Sequence, residues 1–278
     1  MKNYICYEFS LDPLQPAGEI LVSALADLDF ESFEDTETGL RAYISEADDR
    51  TSEVAECARE YADIGVKGYR REVIPGQNWN AVWEADYPSV RAGDAVLVRA
   101  PFHPADPGVE TEVVISPKMS FGTGHHATTR LMLLFLADTD VRGRRIADVG
   151  CGTGVLAIAA VLRGAAAAKA VDIEDIAVEN TEENAALNGV KIDVEKGGAE
   201  AVAGLRFDLI LANINKNVLC RDMSVYSKSL NEGGTLLLSG FFTSDTDEVR
   251  ASAGDCGLKF EAERAEDGWA SLKFIKTA

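Results

Sequence analysis

Metal and redox chemistry have little to work with in this 278-residue sequence. Histidine occurs three times, and two of the three are adjacent as His125-His126, a spacing that does not place two imidazoles on one face. The five cysteines (Cys6, Cys57, Cys151, Cys220 and Cys256) are widely spaced with no C-x-x-C pair, which argues against both a thiolate zinc site and a disulfide framework. No metal site is expected. Long apolar runs are missing as well. No stretch approaches the roughly 18 residues of a membrane span, and the first eight residues lack the apolar core of a signal peptide. A cytoplasmic protein with no membrane partner is the expectation. The third scarcity is positive charge, with 27 Lys+Arg against 46 Asp+Glu and a formal net charge of −19. A nucleic-acid backbone calls for a basic face, so direct binding to nucleic acid is not expected. A basic protein partner, or solubility alone, suits the balance.

What the sequence does have is a strand running into a glycine turn. Arg145 to Val149 reads as a buried strand, Gly150-Cys151-Gly152-Thr153-Gly154 as the turn, and Val155 to Leu162 as an apolar helix. Glycine lets a ligand approach the backbone closely, and the helix N-terminus offers free N–H donors. The dinucleotide pattern G-x-G-x-x-G needs glycine or alanine where Val155 stands, which disfavours a nicotinamide oxidoreductase. A second strand, Ala168 to Asp172, ends in a carboxylate 22 residues beyond Gly150, where an acid can take ribose hydroxyls. The G-x-G-x-G turn after Asp148 resembles the first motif of the S-adenosylmethionine-dependent methyltransferases.

The chain opens with alternation over Tyr4–Leu11, helical spacing over Ala17–Leu28, a hairpin around Thr38-Gly39, a helix from about Asp48 to Ile64 and a strand over Val66–Ile74. That βαββαβ order predicts a small ferredoxin-like α+β domain over residues 1–76. It holds 7 Lys+Arg against 17 Asp+Glu, about half of the whole negative charge, and is read as a substrate-recognition module, a structural role being the alternative. Residues 77–94, with Trp79 and Trp83, read as a linker. Residues 95–278 read as the catalytic domain, with strands alternating with helices before a closing hairpin, Leu258–Glu263 and Trp269–Ile275. That order predicts an α/β, Rossmann-like seven-stranded sheet with one reversed edge strand. Gly122, Gly124 and Ala127 formally match a second nucleotide turn, but Pro117 and the residues after it separate them from any strand. That segment reads as a loop lying over the first turn, with the Thr128 and Thr129 hydroxyls capping the next helix or contacting a ligand.

Phe121-Gly122-Thr123-Gly124-His125-His126 with Thr128-Thr129, then Asp148 to Gly154, Asp172 and Ala212-Asn213-Ile214, resemble in order and spacing the PrmA family, the methyltransferases of large-subunit ribosomal protein eleven. The resemblance implies a protein N-methyltransferase that uses S-adenosyl-L-methionine on lysine side-chain or N-terminal amines of that basic ribosomal protein. It implies cofactor contacts at Thr129, Gly150, Gly152, Asp172, Asn213 and Phe121, with Asn213 also facing the reacting amine. A small-molecule methyltransferase and a cofactor-binding, non-catalytic ribosome assembly factor are the alternatives. A monomer is the default expectation.

Overall fold

The computed structural model describes residues 2–75, 87–117 and 122–277. The chain divides into two compact units, Met1–Asp86 and Tyr87–Ala278.

In the first unit β1 (Tyr4–Leu11) puts Ile5, Tyr7, Phe9 and Leu11 inward, as its alternation requires. It lies between β3 (Gly39–Ser45) and β4 (Val66–Ile74), with β2 (Ser32–Thr36) outside β3, all antiparallel. Helices α1 (Ala17–Ala26) and α2 (Thr51–Glu60) close one face with Leu21, Leu25, Val54 and Cys57. The buried Tyr7 ring keeps its hydroxyl satisfied by donating to Asp49 Oδ1 at 2.6 Å, and Asp49 is in turn paired with Arg71 at 2.7 Å. This is the expected split βαββαβ arrangement.

The second unit begins with three short strands, β5 (Val90–Ala92), β6 (Val96–Arg99) and β7 (Thr111–Val114), in a sheet of their own. The sequence places Val90–Ala92 in a linker, whereas here it pairs antiparallel with β6. The main sheet follows: β8 (Arg145–Val149), β9 (Ala167–Asp172), β10 (Asp193–Lys196), β11 (Phe207–Asn213), β12 (Leu230–Phe242), β13 (Leu258–Glu266) and β14 (Trp269–Lys276). Their order across the sheet is β10-β9-β8-β11-β12-β14-β13, parallel except for β14, which runs against both β12 and β13. Helices α3 (Ala127–Ala137), α4 (Val155–Leu162), α5 (Asp175–Leu187), α6 (Lys216–Ser229) and α7 (Thr246–Asp255) cover it.

Both faces of the sheet are buried, which is why its strands are apolar without alternation. Ile146, Leu209, Leu211 and Leu237 face one cluster with α3 and α4, while Ala147, Val149, Ile210, Ala212, Leu236 and Leu238 face another with α6 and α7. The chain leaves β8 toward β9 on one side and later fills β11 and β12 on the other. The crevice at that switch lies outside the carboxyl ends of β8, β9 and β11, which places Gly150, Asp172 and Asn213 together.

Candidate active site

A cavity of about 690 Å³ opens at the carboxyl ends of these strands, and Gly122, Thr129, Gly150, Gly152, Asp172 and Asn213 are among its lining residues. All of the sequence-predicted contacts therefore line one space except Phe121, which lies outside the described residues, as do Trp79 and Trp83.

The glycine turn is held from below. Both Gly150 N and Cys151 N donate to Val171 O, at 2.8 and 3.1 Å. Asp172 Oδ2 accepts from Gly152 N at 2.9 Å, and its Oδ1 accepts from Glu174 N at 3.1 Å. A carboxylate offers about four acceptor sites, so Asp172 fixes the turn and retains capacity for ligand hydroxyls. Gly150 takes φ +77°, and a Cβ there would lie 2.1 Å from Ile214 Cγ2. On the other side of Ile214, Gly240 at φ +97° would place a Cβ 2.3 Å from the Ile214 carbonyl oxygen. The Asn213-Ile214 segment is thus seated between two residues that have to be glycine.

Asn213 ends β11. Its Nδ2 reaches Thr129 Oγ1 at 3.5 Å, while its Oδ1 is buried with no hydrogen-bond partner among the described residues. A buried acceptor left unpaired costs about 1–3 kcal/mol, and Asn213 is among the residues that line the cavity. Thr129 is carried by the first turn of α3, but the cap of that helix is not a threonine as the sequence suggests. His126 is the N-cap, and its Nδ1 accepts from Thr128 N at 3.3 Å. His125 turns away, pairing its Nε2 with Pro88 O at 2.9 Å, and His103 pairs with Tyr87 O at 2.6 Å. Among the described residues no group of three His, Cys, Asp or Glu is placed to hold a metal ion.

Several contributors were not legible in the sequence. On α5, Asn180, Thr181 and Asn184 are buried polar residues. Thr181 Oγ1 donates to Gly152 O at 3.1 Å, Asn184 Nδ2 donates to Thr153 O at 2.9 Å, and Asn184 Oδ1 accepts from Ser116 N at 2.9 Å. Thr181 and Asn184 thus hold two carbonyls of the turn from the helix side, while β9 holds its amides. Their spacing over four residues on one side of a helix facing an apolar sheet is the signal that finds them. On α6, Val218, Arg221, Asp222 and Tyr226 are also among the lining residues, as are Ala199 and Glu200.

Asp148, 1% exposed beneath the turn, accepts from Ala157 N at 3.1 Å through Oδ2, and its Oδ1 has no partner among the described residues. Burial pushes its carboxyl up to about 7, opposed by the Ala157 amide and reinforced by the Asp172 carboxylate. A raised acid holds its proton longer folded than unfolded, where its pKa is about 3.9, so stability falls as pH rises between those values and levels off above. The full charge penalty is on the order of 4 kcal/mol at about 1.36 kcal/mol per unit. Asp148→Asn keeps an acceptor for Ala157 and removes the charge, but buries an amide N–H₂ at about 1–3 kcal/mol. The expected outcome is a higher melting temperature near neutral and alkaline pH, with a flatter pH profile. Thermal denaturation curves showing the same pH dependence as the parent would remove Asp148 as its source.

A mostly parallel sheet of this order, a reversed hairpin edge and a cavity over the first glycine turn define a Rossmann-like methyltransferase domain. A methyltransferase from Pyrococcus furiosus shares the fold at a TM-score of 0.50 with 17% identity, covering 60% of this chain and 90% of that one. The chain belongs to the family described as Ribosomal protein L11 methyltransferase (PrmA), which it matches over residues 21–277. It is 46% identical over 282 residues to a ribosomal protein L11 methyltransferase of Porphyromonas gingivalis, spanning 98% of this chain and 97% of that protein. A second relative, from Phocaeicola vulgatus, is 36% identical over 279 residues, 98% of this chain and 99% of that protein. A solved ribosomal protein L11 methylase from Lactobacillus delbrueckii subsp. bulgaricus superposes at a TM-score of 0.65 with 28% identity, covering 69% of this chain and 100% of that one.

Proposed function

We propose that this protein transfers methyl groups from S-adenosylmethionine to lysine side-chain or N-terminal amines of ribosomal protein L11. The observation that carries the reading is that Asn213, whose buried Oδ1 has no hydrogen-bond partner among the described residues, lines the same cavity as the Asp172-anchored glycine turn. The donor set suits such a cosubstrate. Asp172 is an acceptor for paired ribose hydroxyls, Gly150 and Gly152 let a bulky ligand approach the backbone, and among the described lining residues the one cation, Arg221, is paired with Asp222. When bound, S-adenosylmethionine supplies an electrophilic methyl that needs only an in-line nucleophile.

The remaining work falls to the chain. A lysine amine starts near pKa 10.4 and has to arrive neutral, and desolvation of its ammonium at the crevice pushes that value down, with the proton leaving to water. Asn213 Oδ1 accepts an N–H from the neutral amine and so aims its lone pair, with Thr129 Oγ1 lying 3.5 Å from its Nδ2. No protein nucleophile is needed. The Asn213-Ile214-Asn215 run carries no aromatic ring for stacking on a flat base, which favours a flexible aliphatic amine. Residues 1–76 serve as the recognition module for the basic protein.

The direct test is incubation with unmethylated ribosomal protein L11 and labelled S-adenosylmethionine, with methylated positions read by mass spectrometry. Absence of transfer despite tight cofactor binding would overturn the catalytic reading. Asp172→Ala is expected to weaken S-adenosylmethionine binding by about 1.5–3 kcal/mol, the range for a hydrogen bond to a charged group. Unchanged affinity in calorimetry would take Asp172 out of the site.

A further inference from the structure

Phe242, the last residue of β12, is a large apolar side chain that neither the glycine turn nor Asn213 uses. It is 51% exposed, and its ring lies against that of Trp269, the first residue of β14, with centroids 4.2 Å apart at 30°. Trp269 in turn meets the His126 ring edge-on at 4.7 Å. The other exposed phenylalanine, Phe260, lies under the Arg250 guanidinium at 3.9 Å from its centroid, whereas among the described residues no cation lies over Phe242.

Contacts tie this aromatic pair to the reacting end of the site. Asn213 pairs with Ser239 across β11 and β12, and three residues further along β12 Phe242 pairs with Trp269. At ~3.3 Å per residue Phe242 stands roughly 10 Å farther out along the strand than Ser239. The two rings are on the face that α3 covers, because Trp269 meets His126, the N-cap of α3, and Thr129 in the first turn of that helix meets Asn213. The glycine turn and Asp172 take up the β8 and β9 side of the crevice, so a cosubstrate anchored there leaves the acceptor to arrive over β11, β12 and β14. The platform is firmly seated, since Phe242 N donates to Asp245 Oδ2 at 3.2 Å and Thr243 N to Gly268 O at 2.9 Å. Its surroundings also suit a cation. Lys216, at the start of α6, is neutralised by Asp245 and Glu248 at 3.1 and 2.7 Å, and the Asp267 side chain, two residues before Trp269, is 78% exposed.

We infer that Phe242 and Trp269 form the platform on which the methylene stem of an acceptor lysine lies, and that this platform favours lysine side chains over a chain-terminal amine. The inference rests on the amine-methylation reading proposed above. A lysine carries its nitrogen on a flexible four-carbon stem. With that nitrogen at Asn213 Oδ1 the stem runs outward over the rings, and its apolar surface leaves water. Before the proton is lost, the ammonium is also drawn to the ring faces and to Asp267 on its way in. A terminal amine is joined directly to the backbone and has no stem to place there.

The test is methylation of intact, unmethylated ribosomal protein L11 by the full chain, by Phe242→Ala and by Phe242→Leu. Rates at each amine are read by mass spectrometry, with S-adenosylhomocysteine affinity and melting temperature measured in parallel. Phe242→Ala is expected to lower kcat/KM at lysine about tenfold, the scale of about two methylenes left in water. The loss should appear in KM with kcat held, since the stem packs alike before and during transfer, and Phe242→Leu should recover most of it. Terminal-amine methylation, with no stem to lose, should fall less than about twofold. Cofactor affinity and melting temperature should stay at the parent values. An unchanged KM for lysine methylation overturns the assignment, and so does an equal loss at both kinds of amine. A parent protein that methylates only the terminal amine overturns it as well while leaving the methyltransferase reading intact, whereas absence of any transfer to L11 overturns that reading and this inference with it.

Discussion

Asn213→Ala is expected to slow single-turnover methylation of the protein substrate about a hundredfold, the scale of losing orientation at a reacting centre, while weakening S-adenosylmethionine less than about tenfold. The inequality follows from where the amide sits. Its Nδ2 leans on Thr129 at 3.5 Å, a long contact whose loss changes little in the resting site. Its Oδ1 has no hydrogen-bond partner among the described residues, so on the proposed reading its interaction is made with the incoming amine. An interaction formed only as the reaction proceeds appears in the rate, whereas one shared with bound ligand appears in affinity. The backbone around it should not move, because Ile214 N donates to Ser239 O at 3.1 Å and Ile214 stays seated against Gly150 and Gly240. Rapid-quench measurement of transfer beside calorimetry separates the two quantities. A variant that loses affinity and keeps its single-turnover rate would reduce Asn213 to a cofactor contact.

The parts of this site legible in the sequence are those whose chemistry is local. A glycine turn between a strand and a helix, and a carboxylate at the next strand's end, announce themselves because the turn needs positive φ and the strand needs an apolar run. Asn213 was legible for the same reason, as the first polar residue after Phe207–Ala212. What escaped depends on contacts distant in the chain. Val90–Ala92 is three residues long and becomes a strand only because β6 lies beside it. The α3 cap fell to His126 over its threonine neighbours because its ring nitrogen, paired with Thr128 Oγ1 at 2.8 Å, reaches the helix amide first. Asp148 reads as the acid before the motif turn, and Asn184 and Tyr226 pass unremarked inside helical stretches. Their meaning is set by burial, which no local pattern carries.

A polypeptide beginning at Tyr87 is expected to bind S-adenosylmethionine with near-normal affinity while its kcat/KM on intact ribosomal protein L11 falls about tenfold to a hundredfold, the range over which charge steers association. The cut is placed by contacts within the second unit. Tyr87 O meets His103, Pro88 O meets His125, and Val90–Ala92 pairs with β6, so removal of residues 87–92 would take a strand and two hydrogen bonds from that unit as well. The first unit has its own apolar cluster around Ile5, Tyr7 and Phe9, and among the described residues none that lines the cavity comes from it. Its 17 acidic side chains against 7 basic ones over residues 1–76 leave a surface suited to a basic partner. Glu34, Asp35 and Glu37, at the β2–β3 hairpin, are exposed. Attraction of that kind acts on the association rate and is screened within about 10 Å at 0.1 M salt. The full chain should therefore lose activity on the protein as salt rises, and the shortened chain, already without the steering field, should respond much less. A short amine-bearing peptide, which gains nothing from a distant acidic surface, should be methylated equally by both. Undiminished activity of the shortened chain on the intact protein, with the same salt response as the full chain, would show that residues 1–76 do not choose the substrate.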